Sequence, residues 1–466
     1  MSPIPIPVPA DSVAFFAALR ARWPAPVWLD SAAGGRYSIF SAAPRAQLIS
    51  RGGQTWRLPA DASITETDCE ALAQRSDAQC LGAGDPLALI REHLGPALAA
   101  PPPFASGAIG YFGYELGRRL QGQRVADAGM PEMAVGLYDW ALVIDHDADE
   151  AWVAGAPPDG LLDWILSDPA GVPAAWQALS PATATPGRDG YAEAFARIKR
   201  YLRDGDCYQV NYARAFEAAF SGDPLAVYAD FRALAGGPFS AYLQLPGGPI
   251  LSGSPERFLA VRDGRVETRP IKGTRARHPD PLVDEAVREA LGRSEKDRAE
   301  NLMIVDLLRN DLGRCCATGS VRVPALFALE RYATVHHMVS VIEGELAPGV
   351  HVTDLLRDCL PGGSITGAPK YRAMEIIEEL EGQPRGIYCG AIGYIGADGA
   401  MDTNIAIRTM TARDGVLDYR AGGGLVFDSN MSEEFDETES KALAFRQLIA
   451  AGGQGMLQSS KTQASI

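Results

Sequence analysis

The sequence lacks the features that would place the protein in a membrane or outside the cell. No run approaches the ~20 apolar residues of a membrane-spanning helix. The first residues, MSPIPIPVPADS, contain neither the basic nor the apolar segment of a secretory signal. The seven cysteines are scattered and form no CxxC pair, which excludes a disulfide framework and a zinc site. We therefore expect a cytoplasmic protein with reduced thiols and no membrane partner.

Basic residues are also fewer than acidic ones. The chain has 43 Lys and Arg against 58 Asp and Glu, and its net charge is -15. This balance excludes a general affinity for nucleic acid. Only six of the basic residues are lysines, so a lysine inside a motif is a candidate for a specific role.

The remaining composition is that of a globular protein. The 466 residues are 47% hydrophobic and 22% charged, which is enough apolar material for a large core. Strand-like runs often follow one another directly, which predicts an α+β fold with largely antiparallel sheets. A stretch rich in proline, alanine and glycine divides the chain. We predict an N-terminal region 1–154, a linker 155–189, a main region 190–450 and a polar tail 451–466.

Helices are expected where capping residues precede apolar residues at helical spacing. Asp11 is a plausible N-cap for the first of them. The predicted spans are 11–22, 191–203, 284–314, 371–380 and 432–450.

Two pairs of carboxylates stand at helical spacing. Asp297 and Glu300 form one pair, and Glu434 and Glu437 form the other. On a helix the members of each pair share one face, and two facing pairs would offer oxygen ligands to Mg²⁺. The alternative is two solvated acidic faces on surface helices.

A lysine stands at an unusual place in the string RPIKGTRAR. Lys272 is flanked by glycine and lies near Arg269, Arg275 and Arg277. Like charge from these arginines would favour the neutral, nucleophilic amine. The alternative is a lysine that binds an anion or simply lies at the surface.

Two glycine-rich strings could bring backbone close to a ligand. PGGSITGAPK precedes a helix but lacks the spacing of a phosphate-binding P-loop. RAGGGLV carries three successive glycines after a strand. Glu256, Arg408 and His337 are further candidates, although each alone is more often structural. If the stretch with His336 and His337 is a strand, only one of the two histidines points inward.

Nine short strings occur in an order that is typical of one enzyme family. They are SGSPERF, RPIKGTRAR, AENLMIVDLLRNDLGR, YATVHHMVS, PGGSITGAPK, RGIYCGAIGYI, TNIAIRTM, RAGGGLVFDS and EEFDETESKA. On these strings the chain resembles the chorismate-utilising enzymes, which include anthranilate, aminodeoxychorismate, isochorismate and salicylate synthases. The resemblance is dense over residues 190–450 and weaker before them. It implies a four-layer α/β/β/α sandwich of two large, mostly antiparallel sheets.

The resemblance also implies a magnesium site and a set of substrate contacts. Glu300 and Glu437 match the Mg²⁺ ligands, and Asp297 and Glu434 match carboxylates that reach the ion through water. The positions that match contacts to chorismate are Gly273, Thr274, Ser364, Tyr388, Arg408, Gly422, Gly423 and Gly424.

Three further positions match catalytic groups of the family. Glu256 resembles the general acid, and His337 resembles the histidine near the departing hydroxyl. Lys272 marks the aminodeoxychorismate synthase branch, because anthranilate synthases usually read PIAGT where this chain reads PIKGT. Gln209 stands where the water-using enzymes carry a lysine, which disfavours isochorismate chemistry.

The implied reaction is the Mg²⁺-dependent amination of chorismate to 4-amino-4-deoxychorismate, a precursor of 4-aminobenzoate and folate. Ammonia would come from a separate glutamine amidotransferase subunit, component II, because the chain shows no glutaminase motif of its own. Two alternatives remain open. They are an anthranilate synthase large subunit and a non-catalytic regulatory subunit that binds tryptophan.

Relatives hold tryptophan between an N-terminal strand and a loop of the second half. The matching positions are Ser31, Tyr37, Ser38, Phe40, Pro238, Phe239 and Ser240. This chain reads WLDS and GGPFSAY where anthranilate synthases usually read LLES and NPSPYM, so feedback control by tryptophan is not expected. A bound structural tryptophan and ordinary core packing are the two interpretations.

Overall fold

The computed structural model describes residues 3–32, 34–62, 69–98, 101–332 and 335–452. None of the helices in these ranges combines the length and the apolar composition that crossing a bilayer requires. The helices are α1 (Ser12–Arg22), α2 (Cys69–Gln74), α3 (Pro86–His93), α4 (Tyr114–Leu120), α5 (Leu161–Leu166), α6 (Arg188–Asp204), α7 (Pro224–Ala235), α8 (Pro281–Arg293), α9 (Glu295–Gly313), α10 (Val352–Cys359), α11 (Lys370–Glu381), α12 (Met431–Lys441) and α13 (Leu443–Ala451).

The strands span most of the same ranges. They are β1 (Ile4–Ile6), β2 (Val27–Asp30), β3 (Tyr37–Ser41), β4 (Ala46–Arg51), β5 (Gln54–Leu58), β6 (Gln79–Gly82), β7 (Gly107–Phe112), β8 (Met133–Tyr138), β9 (Trp140–Asp145), β10 (Glu150–Gly155), β11 (Trp176–Ala178), β12 (Thr183–Thr185), β13 (Gln209–Gly222), β14 (Phe239–Leu245), β15 (Gly248–Ser254), β16 (Arg257–Arg262), β17 (Arg265–Thr268), β18 (Ile271–Ala276), β19 (Arg322–Arg331), β20 (Val335–Glu345), β21 (Gly367–Ala368), β22 (Ala391–Gly396), β23 (Met401–Ile405), β24 (Thr409–Arg413) and β25 (Val416–Leu425).

The described strands form two large sheets in which neighbours pair antiparallel. The first sheet has the order β1-β10-β9-β3-β2-β14-β15-β24-β25-β13-β11, with β12 and β21 also paired to β13. The second has the order β18-β20-β17-β16-β23-β22-β7-β8-β4-β5-β6, with β19 paired to β20. The predicted α+β fold with antiparallel sheets is therefore confirmed.

The sheets pack face to face, and helices cover their outer sides. Successive residues of a strand point to opposite faces, so Val27 enters the core between the sheets while Trp28 packs against helices. Ile49 and Ile109 of the second sheet share the inner core with Val27. Helices α1, α5, α7 and α13 share a hydrophobic cluster with the first sheet, and α3, α4, α9, α10 and α11 share one with the second. This is the expected four-layer α/β/β/α arrangement.

Both halves of the chain contribute to both sheets. Strand β14 of the second half pairs with β2, and β22 pairs with β7. The segment 155–189 contains α5, β11 and β12, and both of these strands pair with β13. The division into four segments stays a prediction from composition, and the sheets themselves run across it.

Local sequence explains where several helices begin. The Asp11 carboxylate accepts hydrogen bonds from the backbone N–H groups of Val13 and Ala14, at 2.8 and 3.1 Å, as its N-cap position predicts. The predicted span 284–314 is two helices, because Ser294 ends α8 and caps α9. Its hydroxyl accepts the N–H of Asp297 at 3.3 Å.

Candidate active site

The candidate residues gather where two helices meet the strands. Helix α9 packs against β18 and β20, and helix α12 packs against β25. These elements carry Glu300 on α9, Lys272 on β18, His337 on β20, Gly423 on β25 and Glu437 on α12. The structure thus brings together residues that are far apart in the sequence.

The carboxylates of α9 and α12 act on one another. Burial raises the pKa of Glu300, and the negative charges of Asp297 and Glu437 raise it further, against the opposing effect of nearby lysines. Burial and the charge of Glu437 likewise raise the pKa of Glu434, although its hydrogen bond from the Ser429 hydroxyl, at 2.7 Å, opposes the shift. The carboxylates of the two helices therefore lie close enough to influence one another's pKa.

Three of the six lysines surround these carboxylates. Burial would raise the pKa of Glu437, but Lys441, Lys272 and Lys296 together lower it below its usual value. The Lys441 ammonium lies 2.6 Å from Glu437 Oε1 and donates to the carbonyl of Gly422 at 2.8 Å. The sequence predicts a role for Lys272 but none for Lys296 or Lys441. The scarcity of lysine was the available signal.

The donor set fits Mg²⁺ in chemistry. Carboxylate oxygens are the ligands that Mg²⁺ prefers, and one or two of them suffice when water and an anionic substrate complete the shell. No group of three or more acidic, histidine or cysteine side chains in the described ranges is already gathered around a single point. Glu300 and Glu437 could hold the ion, which would relieve the repulsion between the carboxylates. Asp297 instead pairs with Arg275, at 2.8 Å.

Glu256 is a buried carboxyl that stays protonated more easily than usual. Its residue is 8% exposed. Burial raises the pKa of Glu256 to about 7, while the charge of Lys272 and a hydrogen bond from the Ile271 backbone oppose the rise. A carboxyl with such a pKa can donate a proton near neutral pH, as a general acid must.

His337 is a neutral imidazole that faces the site. Its Nδ1 lies 2.8 Å from the Thr274 hydroxyl. Burial and then the charge of Arg408 lower the pKa of His337 to about 4. His336 points to the opposite face of β20 and contacts the Asp284 carboxylate at 2.8 Å. Strand alternation therefore selects His337 as the histidine of the site.

The arginines around Lys272 do not act as the sequence suggested. Arg269 pairs with Glu330, Arg275 with Asp297, and Arg277 with Asp284. Because each guanidinium already has a carboxylate partner, like charge from the three arginines is largely neutralised. The charges that act on Lys272 are instead those of Glu256, Glu300 and Glu437, whose own pKa values all respond to it.

The glycines of the site serve different purposes. Gly273 has a φ of +78°, and a Cβ there would lie 2.8 Å from Leu291 Cδ1. A Cβ on Gly423 would point toward the carboxylates of α12, 3.3 Å from Glu434 Oε2. Gly422 and Gly424 face β13, and a side chain on Gly422 would clash with the Tyr212 carbonyl at 2.5 Å. Close packing of β25 on β13 is thus the structural reason for Gly422 and Gly424.

Arg408 is available for an anionic ligand. It is exposed and has a φ of 49°, which is uncommon for a residue other than glycine. Its guanidinium makes no hydrogen bond or ion pair with the residues that the structure describes.

A buried arginine, Arg385, contacts both the turn that contains Ser364 and the ring of Tyr388. Both predicted residues are buried, and Ser364 lies in a 3-10 turn, Gly363–Ile365. Arg385 donates to the Ile365 carbonyl at 3.2 Å and stacks over the Tyr388 ring at 5.5 Å. Its charge is balanced by Glu381, at 2.6 Å. The contacts of Arg385 with the Ile365 carbonyl and with the Tyr388 ring become visible only once the chain is folded.

A cavity of about 390 Å³ lies beside the site, at the predicted tryptophan region. Its walls include Ile271, the neighbour of Lys272. The predicted residues that line it are Ser31, Tyr37, Pro238, Phe239 and Ser240.

The two other residues of the predicted tryptophan pocket, Ser38 and Phe40, do not line this cavity. The Ser38 hydroxyl lies 2.9 Å from His146 Nε2, and Phe40 stacks on Trp28 with the ring centroids 5.1 Å apart. Because residues alternate along β3, Ser38 and Phe40 point away from the cavity that Tyr37 lines.

Known proteins give a consistent comparison. A family model described as chorismate binding enzyme matches residues 24–447. The chain belongs to the chorismate-binding enzyme family. The chain is 44% identical over 418 residues to aminodeoxychorismate synthase component 1 of Klebsiella aerogenes, covering 88% of this chain and 89% of the relative. It is 42% identical over 444 residues to the protein of the same name from Escherichia coli (strain K12), covering 89% and 95%.

A solved structure of the family has the same fold. Anthranilate synthase component I from Streptococcus pneumoniae TIGR4 superposes with a TM-score of 0.75 at 28% identity, covering 89% of this chain and 92% of that one. The resemblance predicted from the nine strings is therefore confirmed, as is the prediction that the chain is an enzyme of this family. The roles of individual residues remain proposals.

Proposed function

We propose that the chain aminates chorismate at C4 to give 4-amino-4-deoxychorismate. The observation that carries this proposal is the position of Lys272 in the candidate site. Its charge lowers the pKa values of Glu256, Glu300 and Glu437. The names of the two relatives at 42–44% identity support the same reaction.

The residues suggest two successive displacements. Lys272 reacts as the neutral amine, after its ammonium has given a proton to solvent. Glu256 gives its proton to the C4 hydroxyl, which leaves as water, while the Lys272 amine forms a bond to C2 and both conjugated ring double bonds shift by one position. Ammonia then attacks C4, both double bonds shift back, and the C2–N bond to Lys272 breaks. Glu256 regains a proton from the incoming ammonia, so the net change is exchange of hydroxyl for amino.

Charge decides how the substrate is held. Chorismate is a dianion, and the chain carries a net charge of -15, so binding depends on local positive charge. Arg408 is free to pair with one carboxylate, and the family resemblance assigns Tyr388 to the same carboxylate. Bound Mg²⁺ would supply the charge that holds the other carboxylate and orients the ring. Glu300 and Glu437 would be its ligands, and Asp297 and Glu434 would reach it through water.

Replacing Glu437 with glutamine should weaken Mg²⁺ binding about tenfold or more, since the variant loses an anionic ligand. Isothermal titration calorimetry with MgCl₂ reads this directly. Glu433→Gln is the matched control, because Glu433 is an exposed residue on the same helix. Equal affinity in wild type and Glu437→Gln would remove Glu437 from the ligand set.

Ammonia must be supplied from outside the chain. We propose that a glutamine amidotransferase subunit, component II, provides it, in keeping with the component 1 names of the relatives. Free ammonium should replace the partner in vitro at alkaline pH, where more of it is present as NH₃.

The product identifies the reaction. The purified chain should be mixed with chorismate, Mg²⁺ and ammonium, and then with an aminodeoxychorismate lyase, before chromatography and mass spectrometry. The proposal predicts 4-aminobenzoate. Anthranilate in its place would show that Lys272 does not determine the position of amination and would favour the anthranilate synthase alternative.

The cavity beside the site favours a second, non-catalytic ligand. We propose that it holds tryptophan as a structural component. The Asp30 carboxylate of its wall accepts hydrogen bonds from the Tyr228 hydroxyl at 3.0 Å and from Arg232 Nε at 2.5 Å. Added tryptophan should raise the Tm without inhibiting amination. Inhibition at micromolar concentrations would instead favour the regulatory alternative.

A further inference from the structure

A second cavity, of about 180 Å³, opens at the surface between α4 and the end of α11. Its wall includes Tyr114 and Glu115 at the start of α4, and Glu378 and Glu381 near the end of α11. Exposed residues, among them Gly382, form its rim. The cavity is separate from the residues that are proposed to bind and convert chorismate.

One buried carboxyl beside this cavity makes no ion pair among the described residues. Arg118 pairs with Glu378, and Arg385 pairs with Glu381 through two hydrogen bonds, at 2.6 and 2.9 Å. Glu115 is 2% exposed, and its Oε1 accepts the Arg385 backbone N–H at 2.8 Å. Burial raises the pKa of Glu115 to about 7, although backbone hydrogen bonds and the charge of Arg420 oppose the rise. A buried carboxylate without a positive partner is costly.

Two buried polar atoms at the cavity have no hydrogen-bond partner among the described residues. They are Glu115 Oε2 and the Tyr114 hydroxyl. Such atoms are rare in folded proteins, because an unpaired buried polar group destabilises the fold by about 1–3 kcal/mol. Their presence in adjacent residues of one cavity wall leaves two oxygens open to water or to a ligand that donates hydrogen bonds.

The C-terminal end of α11 also favours a positively charged ligand. The last helical residue is Glu381, and Gly382 closes the helix in the left-handed conformation with a φ of 65°. Carbonyl groups at a helix C-terminus carry partial negative charge and favour a cation. The Glu115 carboxyl, the Tyr114 hydroxyl and the end of α11 therefore all favour a cation that donates hydrogen bonds.

We propose that this cavity binds an ammonium ion, the source of the amino group in the proposed function on which this inference rests. An ammonium ion offers four N–H donors to the two unpaired oxygens and to water, and a 180 Å³ space is large enough for the ion and a few waters. The cavity is connected to the chorismate site by Arg385, which contacts the Ile365 carbonyl and the Tyr388 ring.

Thermal unfolding in matched salts tests the binding. We expect ammonium chloride to raise the Tm of the full chain by about 2 °C relative to sodium chloride at equal ionic strength. The difference should vanish in Glu115→Gln, which keeps the acceptor for the Arg385 N–H, and should shrink in Tyr114→Phe. Glu92→Gln, on an exposed residue of α3, should behave as wild type.

Potassium provides the test of ion identity. An equal Tm increase in potassium chloride would overturn the assignment to ammonium, because the site would then be a general site for monovalent cations. An ammonium effect that persists in Glu115→Gln would overturn the assignment to this cavity.

Kinetics link the site to the reaction. With free ammonium as the nitrogen source, Glu115→Gln should raise the KM for ammonium about tenfold and leave the KM for chorismate unchanged. An unchanged KM for ammonium would overturn the role in supply. Because the Tm comparison requires no turnover, a failure of the proposed amination would not be confused with a failure of this site.

Discussion

Glu256→Gln is expected to lower the rate of amination by about 10²–10⁴-fold and, at the same time, to stabilise the folded protein at alkaline pH. The loss of rate follows because glutamine cannot donate a proton to the departing hydroxyl. Steady-state formation of 4-amino-4-deoxychorismate measures it. Glu193→Gln, on an exposed residue of α6, should keep the wild-type rate.

The gain in stability follows from the raised pKa of Glu256. Burial moves this pKa from its usual 4.5 to about 7, so the wild-type chain loses stability as the pH rises through that range, while the glutamine variant does not. The free energy of unfolding should be up to about 3 kcal/mol higher for the variant at about pH 8 and similar for both at about pH 4. Denaturant titrations at the two pH values provide the comparison. A variant with full activity, or with the same stability difference at both pH values, would contradict the assignment.

Lys272→Ala is expected to reduce 4-amination by about 10³-fold, equivalent to ~4 kcal/mol of transition-state stabilisation. The variant loses the amine that forms the bond to C2. Ammonia can then attack C2 itself with loss of water, and anthranilate forms if pyruvate is subsequently eliminated. Product analysis by chromatography separates the two outcomes.

Lys272→Arg is the control that separates covalent from electrostatic roles. Arginine keeps a positive charge beside Glu256, Glu300 and Glu437, but its guanidinium stays protonated and is a poor nucleophile. If Lys272 acts covalently, both variants should be equally impaired. Substantial 4-amination by Lys272→Arg would assign Lys272 a purely electrostatic role.

Much of the site could be predicted because its residues lie at regular spacing. The i, i+3 carboxylates on α9 and α12 share a helix face by geometry alone, and in the structure the carboxylates of the two helices lie close enough to influence one another's pKa. The antiparallel sheets also follow from strand-like runs that succeed one another without intervening helices. These features depend on neighbours in the sequence.

The features that escaped prediction depend on partners far along the chain. The arginines near Lys272 are neutralised by carboxylates such as Glu330 and Asp284, which no local pattern connects to them. The orientation of Phe40 away from the cavity depends on the register of β3. The absence of a hydrogen-bond partner for Glu115 Oε2 among the described residues becomes visible only when α4 and α11 are packed together.

The central claim is that Lys272 becomes covalently attached to the substrate, and the mass of the intact protein tests this most directly. The chain should be mixed with chorismate and Mg²⁺ in the absence of ammonia, quenched with acid and analysed by mass spectrometry. We predict a mass increase equal to chorismate minus one water, located on the peptide that contains Lys272 and absent from Lys272→Arg. Unmodified protein that nevertheless forms 4-amino-4-deoxychorismate once ammonium is added would contradict the claim.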